Sequence, residues 1–160
     1  MRYHRVLLIG PPHSGFLGIG YEPNISLGYL SETLESYRLE HEVFDMALNY
    51  DESELWEKVA NYQPDLVGVT MMSLDYLNTI EIIRRLKEKF RVDVVVGGAH
   101  MSCLQGELLE KYPEIDYGIG KVSRPWWNCV LIKRSHRLRV FCIAMTLRWF
   151  LMERGKPGLI

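Results

Sequence analysis

No stretch of 18 or more apolar residues occurs in this 160-residue chain, so no helix is expected to cross a membrane. The opening Met1-Arg2-Tyr3-His4-Arg5 leads straight into a strand-like run. It lacks the apolar core and small-residue cleavage site of a secretory leader, so secretion is not expected. Cysteine is scarce: Cys103, Cys129 and Cys142 are odd in number and have no metal-ligand spacing. They fit a reducing cytoplasm, where free cysteine serves as a small buried hydrophobe. No Gly-Lys-Ser/Thr triplet exists, which excludes a P-loop. A dinucleotide fingerprint is incomplete, because Gly18-Ile19-Gly20 runs into Tyr21-Glu22-Pro23 where a third glycine and a helix are required. A phosphorelay receiver needs acids after its first strand and an aspartate after its third. Gly10-Pro11-Pro12 and Thr70-Met71-Met72 stand there instead. A flavin-phosphate loop would be rich in serine and threonine after the first strand, and only Ser14 is present. Residues 1–120 have no basic, aromatic-interleaved face, so nucleic acid is not an expected partner.

What is present divides at residue 120. Residues 1–120 hold 10 Lys+Arg and 19 Asp+Glu, a net charge of −9 (10 − 19), whereas residues 121–160 hold 9 Lys+Arg and only Glu153, a net of +8 (9 − 1). Three of the four tryptophans also fall in the second segment. An abrupt change of this kind marks a boundary.

Within residues 1–120, strand and helix patterns alternate. Arg5–Ile9 reads as a buried strand that stops at Gly10-Pro11-Pro12. A glycine-rich loop follows through Gly15, Gly18 and Gly20 to Pro23. Ile25–Arg38 is helical, with Asn24 as N-cap and Leu27, Leu30 and Leu34 on one face. His41–Met46 is a second strand, and Asp51–Asn61 a helix with Leu55, Trp56 and Val59 inward. Leu66–Met71 is a third strand. A helix capped by Ser73 or Asp75 runs to about Phe90, with Leu77, Ile80, Ile83, Leu86 and Lys87 at helical spacing. Val92–Val96 is a fourth strand, Cys103–Lys111 a short helix and Ile115–Ile119 a fifth strand. The alternation predicts an α/β fold: a flavodoxin-like (Rossmann-type) open parallel five-stranded sheet, order 2-1-3-4-5, with helices on both faces. Ligands bind such sheets at the carboxyl ends of the strands. That edge carries the loops after Ile9, Met71, Val96 and Ile119. At one of them Val94-Val95-Val96 delivers Gly97-Gly98, a stretch of backbone with no Cβ in the way.

Four motifs in register resemble the cobalamin-binding domain found at the amino terminus of many radical S-adenosylmethionine enzymes. Leu7-Leu8-Ile9-Gly10-Pro11-Pro12 is similar to that family's strand ending in Asn-Pro-Pro, with Gly10 in place of asparagine. Pro23-Asn24-Ile25-Ser26-Leu27-Gly28-Tyr29-Leu30 resembles its P-x-x-x-L-G-x-x-L helix start. Pro64-Asp65-Leu66-Val67-Gly68-Val69-Thr70 resembles its P-D-[LIV]-[LIV]-G-[LIV]-[ST] strand, and Val96-Gly97-Gly98-Ala99-His100 its V-G-G-x-H loop. The resemblance implies that residues 1–120 bind cobalamin, with the nucleotide tail between sheet and helix. Thr70 and Met72 then occupy the places of the family's S-x-L motif, and Thr70 offers a hydrogen bond to the buried base. Gly97, Gly98 and Ala99 leave room for the tail. Pro11, Pro12, His13, Ser73, His100, Gly118 and Gly120 complete the implied cofactor contacts. No metal ligand is assigned. Mutases and methionine synthase ligate cobalt through D-x-H-x-x-G, and the loop Pro11-Pro12-His13-Ser14-Gly15-Phe16 lacks the aspartate two residues before His13.

The family continues past its fifth strand as G-E-G-E and then a helix with V-x-E-L. This chain reads Gly120-Lys121-Val122-Ser123-Arg124-Pro125-Trp126-Trp127-Asn128-Cys129. Shifting the frame forward by two bases turns Trp126-Trp127-Asn128-Cys129 into Val-Glu-Leu whatever synonymous codons are used. The upstream codons permit G-E-G-E. Residues 121–160 are therefore expected to be an out-of-frame, non-native tail, irregular and without a coherent core. The alternative is a true basic tail with an amphipathic helix over Val140–Met152. The C-x-x-x-C-x-x-C motif for an iron–sulfur centre is absent, so radical chemistry is expected of a separate catalytic domain in full-length relatives, and the chain reads as truncated before it. The rival readings are a flavodoxin-like binding or regulatory module for a flavin or nucleotide without catalytic activity, and a stand-alone corrinoid shuttle. The missing D-x-H-x-x-G counts against the shuttle.

Overall fold

The computed structural model describes residues 3–12, 23–121, 128–134 and 137–142; for Lys121 and the last two segments it describes the backbone. Five parallel strands form the predicted sheet: β1 (Arg5–Gly10), β2 (Glu40–Asp45), β3 (Leu66–Thr70), β4 (Asp93–Gly97) and β5 (Tyr117–Lys121), in the order β2-β1-β3-β4-β5. The helices are α1 (Ile25–Ser36), α2 (Glu52–Tyr62), α3 (Tyr76–Lys89), α4 (Ala99–Leu104) and α5 (Gly106–Lys111), with a 3-10 turn at Met46–Leu48.

Strand parity sorts the core into two layers. Leu7, Ile9, Val67, Val69, Val94 and Val96 point to one face, where they pack with Leu55 and Val59 of α2, Ile80, Ile83 and Leu86 of α3, and Met101, Leu108 and Leu109 of α4 and α5. Val6, Leu8, Leu66, Val95 and Tyr117 point to the other, where α1 contributes Leu27 and Leu34. Among the described residues, α1 is the only helix whose buried side chains join that second layer. Its contacts are with β1 and β2, so no described helix lies over the β3–β5 half of this face.

Four details differ from the sequence pattern. Leu30 is 40 % exposed, because a helix packed on one edge of the sheet buries a narrow stripe, here Leu27 and Leu34. Leu77 is 63 % exposed, because it sits in the first turn of α3 at the sheet edge. The single helix expected at Cys103–Lys111 is two short ones: α4 starts at Ala99 and the chain breaks at Gln105, whose φ of 47° cannot continue a helix. The fifth strand correspondingly begins at Tyr117, although Ile115 is fully buried ahead of it.

The tail corrects a further expectation. Its described segments are not irregular. They form β6 (Asn128–Arg134) and β7 (Arg137–Cys142), which extend the sheet antiparallel from β5. Strand β5 would otherwise end the sheet with unpaired backbone groups. The runs Cys129-Val130-Leu131-Ile132 and Val140-Phe141-Cys142 have the residue types that suit a pleated partner. The alternative helix over Val140–Met152 is contradicted at Val140–Cys142, and the rest of it lies outside the described residues.

Candidate functional site

The carboxyl edge of the sheet is built by two loops that lock together through their backbones. The Met71 N–H donates to the Gly97 carbonyl at 2.8 Å, and the His100 N–H donates to the Met71 carbonyl at 3.2 Å. Gly98 lies between, with φ at 107°. A Cβ there would stand 2.6 Å from the Met71 carbonyl oxygen and 2.9 Å from its nitrogen. Only glycine allows this contact. Side chains fasten the same two loops. The His100 ring stacks on Tyr76, with centroids 4.3 Å apart and planes at 19°, and its Nδ1 lies 3.2 Å from the Ser73 hydroxyl. Burial, with a smaller contribution from Lys111, holds the His100 imidazole below its ordinary pKa, so the neutral ring is favoured. Its Nε2 is buried with no partner among the described residues.

On the face that carries α1, the last residues of the central strands are small. Thr70 ends β3 and pairs in register with Gly97 of β4. Both are half-buried. Among the described residues, a Cβ on Gly97 would meet nothing nearer than Ile119, at 3.8 Å. Thr70 and Gly97 therefore make a patch of small residues at the sheet edge, the kind of surface a bulky ligand can lie against. Asn24 reaches this patch from the start of α1, its Nδ2 donating to the Thr70 hydroxyl at 3.3 Å. Asn24 in turn is held by buried Asp45 at the end of β2, whose carboxylate accepts the Asn24 backbone N–H at 2.6 Å. The corresponding Cβ space at Gly10 is filled by the Asp45 carboxylate and Leu27.

The predicted contacts thus separate into groups. Thr70 and Gly97 share the face that carries α1. Ser73, Gly98, Ala99 and His100 form the clamped loops above it, and Met72 is half exposed beside them. Pro11 is buried and Pro12 half-buried at the end of β1. Gly118 and Gly120 belong elsewhere. They lie on the opposite face of β5, toward α4. The room beside Gly118 is occupied by the Met101 side chain, whereas a Cβ on Gly120 would stand at ordinary contact, 3.5 Å, from the backbone of Met101 and Ser102. Gly98 is required by the Met71 backbone. His13 lies outside the described residues. Sequence reasoning took Asn24 for an N-cap alone and missed Asp45 as a site residue. An asparagine cap opening a helix at the ligand edge was the available signal for the first. Among the described residues no cluster of three or more His, Cys, Asp or Glu is arranged to hold a metal ion, and no helix is long and apolar enough to cross a membrane.

Comparison with known proteins gives a consistent result. The family model of the B12 binding domain matches residues 20–124. A search of curated proteins returned no match. Among solved structures, the chain is similar to the radical S-adenosylmethionine methyltransferase TsrM from Kitasatospora setae, solved with tryptophan substrate and a SAM analogue: 29% identity, TM-score 0.61, covering 72% of this chain and 23% of that one. It is also similar in fold to the cobalamin-dependent S-adenosylmethionine radical enzyme OxsB. With aqua-cobalamin and S-adenosylmethionine bound, the identity is 21% and the TM-score 0.64, over 72% of this chain and 16% of that one. With aqua-cobalamin alone they are 20% and 0.60, over 73% and 16%. The chain spans less than a quarter of the length of these structures.

Proposed function

This chain belongs to the B12 binding domain family, its cofactor is cobalamin, and we propose that it is the cobalamin-holding module of a radical S-adenosylmethionine enzyme. The observation that carries the reading is the pair of small residues Thr70 and Gly97, side by side at the carboxyl edge of a five-stranded parallel sheet, inside the segment that matches the family. Cobalamin, when bound, supplies a cobalt centre that carries a methyl group or an electron. The chain's own residues bind and orient. Thr70 provides a hydroxyl at the patch, and the clamped loop Gly97–His100 closes its end. Exposed Ile25, Tyr29, Leu74 and Leu77 ring the same edge and offer an apolar rim to the corrin or to an apposed catalytic domain. That catalytic domain is proposed from the relatives, since the chain has no C-x-x-x-C-x-x-C motif of its own.

The test is titration of the full chain with hydroxocobalamin, followed by gel filtration and absorption of the protein peak. Retained corrin bands are expected. Retained flavin absorption in freshly purified protein, or no corrin retention by a folded sample, overturns the reading. His13→Ala is expected to bind as the parent does, because no aspartate stands two residues before it to orient a cobalt-ligating imidazole.

We further propose that residues 121–160 are translated out of frame. The reversal of charge at residue 120, the end of the family match at residue 124 and the Val-Glu-Leu string support this. The nucleotide sequence tests it. The frame shifted by two bases is expected to stay open from codon 120 to codon 160 and to encode an acid-containing continuation. A stop codon within that stretch of the shifted frame rejects the proposal.

A further inference from the structure

One amide at the cofactor edge has its orientation decided by its neighbours. The Asn24 Oδ1 accepts the backbone N–H of Ser26 at 3.1 Å, and the Ser26 hydroxyl as well. A backbone N–H only donates, so the amide oxygen must face Ser26 and the amide nitrogen must face away. That nitrogen meets the Thr70 Oγ1 at 3.3 Å. An amide NH2 also only donates, so the Thr70 oxygen is the acceptor in this pair. Its own proton then has no acceptor among the described residues and is free to be offered to a ligand. The arrangement is anchored from behind, because the Asn24 backbone N–H is held by the buried carboxylate of Asp45.

We propose that Asn24 is a positioning residue that keeps the Thr70 hydroxyl a hydrogen-bond donor, so that the site selects corrinoids whose tail carries a base with a free ring-nitrogen lone pair. The inference rests on the reading of the chain as a cobalamin module and adds a polarity to its tail site. An acceptor at position 24 in place of the amide nitrogen would take the Thr70 proton and present a lone pair to the base. Two lone pairs would then face each other.

The experiment compares two ligands on the full chain: hydroxocobalamin, and cobinamide, which has the same corrin ring but no nucleotide or base. The parent is expected to prefer cobalamin. Asn24→Asp keeps a helix N-cap of equal quality but is an acceptor only. Its affinity for cobalamin is expected to fall about tenfold, the worth of roughly one hydrogen bond, with cobinamide binding unchanged. Thr70→Val is expected to show the same selective loss, and the double variant to be no worse than Thr70→Val alone. Circular dichroism checks the fold of each variant. Should Asn24→Asp fail to fold, Asn24→Ser caps the helix but is too short to reach Thr70; it frees the Thr70 hydroxyl to turn without reversing it, so a smaller selective loss of cobalamin affinity is expected. A folded Asn24 variant that retains the parent's preference for cobalamin overturns the proposal. So does a parent that binds both corrinoids equally, which leaves the cobalamin reading standing. A parent that binds neither rejects the underlying reading instead.

Discussion

Gly98→Val is expected to abolish corrinoid binding by the full chain and to lower its stability by about 2–6 kcal/mol. Two separate costs add. The backbone at Gly98 has φ at 107°, a region a β-branched residue enters only under strain, on the order of 1–3 kcal/mol. The new Cβ would also stand 2.6 Å from the Met71 carbonyl oxygen and 2.9 Å from its nitrogen, and backbone cannot swing aside as a side-chain tip can. Relief requires parting the two loops, which breaks the Met71–Gly97 and His100–Met71 hydrogen bonds and the seat of His100 against Ser73 and Tyr76. Gly97→Ala is the contrast. Among the described residues its Cβ meets only Ile119, at 3.8 Å, so stability should hold while the room beside Thr70 is partly filled and corrinoid binding weakens. Urea denaturation and hydroxocobalamin titration read the two effects separately. A Gly98→Val protein with the parent's denaturation midpoint would contradict the steric argument at its base.

Much of this architecture is legible in the residue pattern, and the reasons are local. The runs at Val6–Ile9, Val67–Val69 and Val94–Val96 are apolar on both faces, which only a covered parallel sheet accommodates, and the helices between them have the length of crossover connections. The loops at its carboxyl edge follow from topology alone. What the pattern does not show is which neighbour each loop residue meets. Gly118 and Gly120 read as ligand glycines because their facing depends on the register of β5 against β4, where Val95 pairs with Tyr117. That register sends them toward α4. The Asn24–Thr70 hydrogen bond joins residues 46 apart in sequence, and no spacing rule finds it. Asp45 reads as the polar end of a strand. Its burial appears only once the 3-10 turn at Met46–Leu48 folds over it. The strands β6 and β7 were hidden for a different reason. Their β-forming composition stands beside Pro125, adjacent tryptophans and a change of charge, which point away from regular structure.

Asp45→Ala is the second large effect, a stability loss of about 2–6 kcal/mol in which the corrinoid site also loosens. The carboxylate is 7% exposed. One oxygen accepts the Asn24 N–H at 2.6 Å, ahead of α1, and the other accepts the Ala47 N–H at 3.2 Å, in the 3-10 turn that follows β2. Alanine leaves both N–H groups without their partner and opens a void beside Gly10 and Leu27. Each orphaned donor costs about 1–3 kcal/mol. Asp45→Asn discriminates this account from a simple loss of volume. The amide has the same shape but one acceptor oxygen, so it can satisfy the Asn24 N–H or the Ala47 N–H and must aim an NH2 at the other. It is therefore expected to lose roughly half as much stability as alanine. If cavity size alone mattered, asparagine would be neutral. Because Asp45 fixes the backbone of Asn24, both variants should also weaken the preference for cobalamin over cobinamide, in proportion to how far Asn24 is released from Thr70. Chemical denaturation ranks the three proteins. A ranking in which Asp45→Asn matches the parent would show that the two backbone donors find other partners, and that the chain from Asp45 through Asn24 to Thr70 does not hold the site.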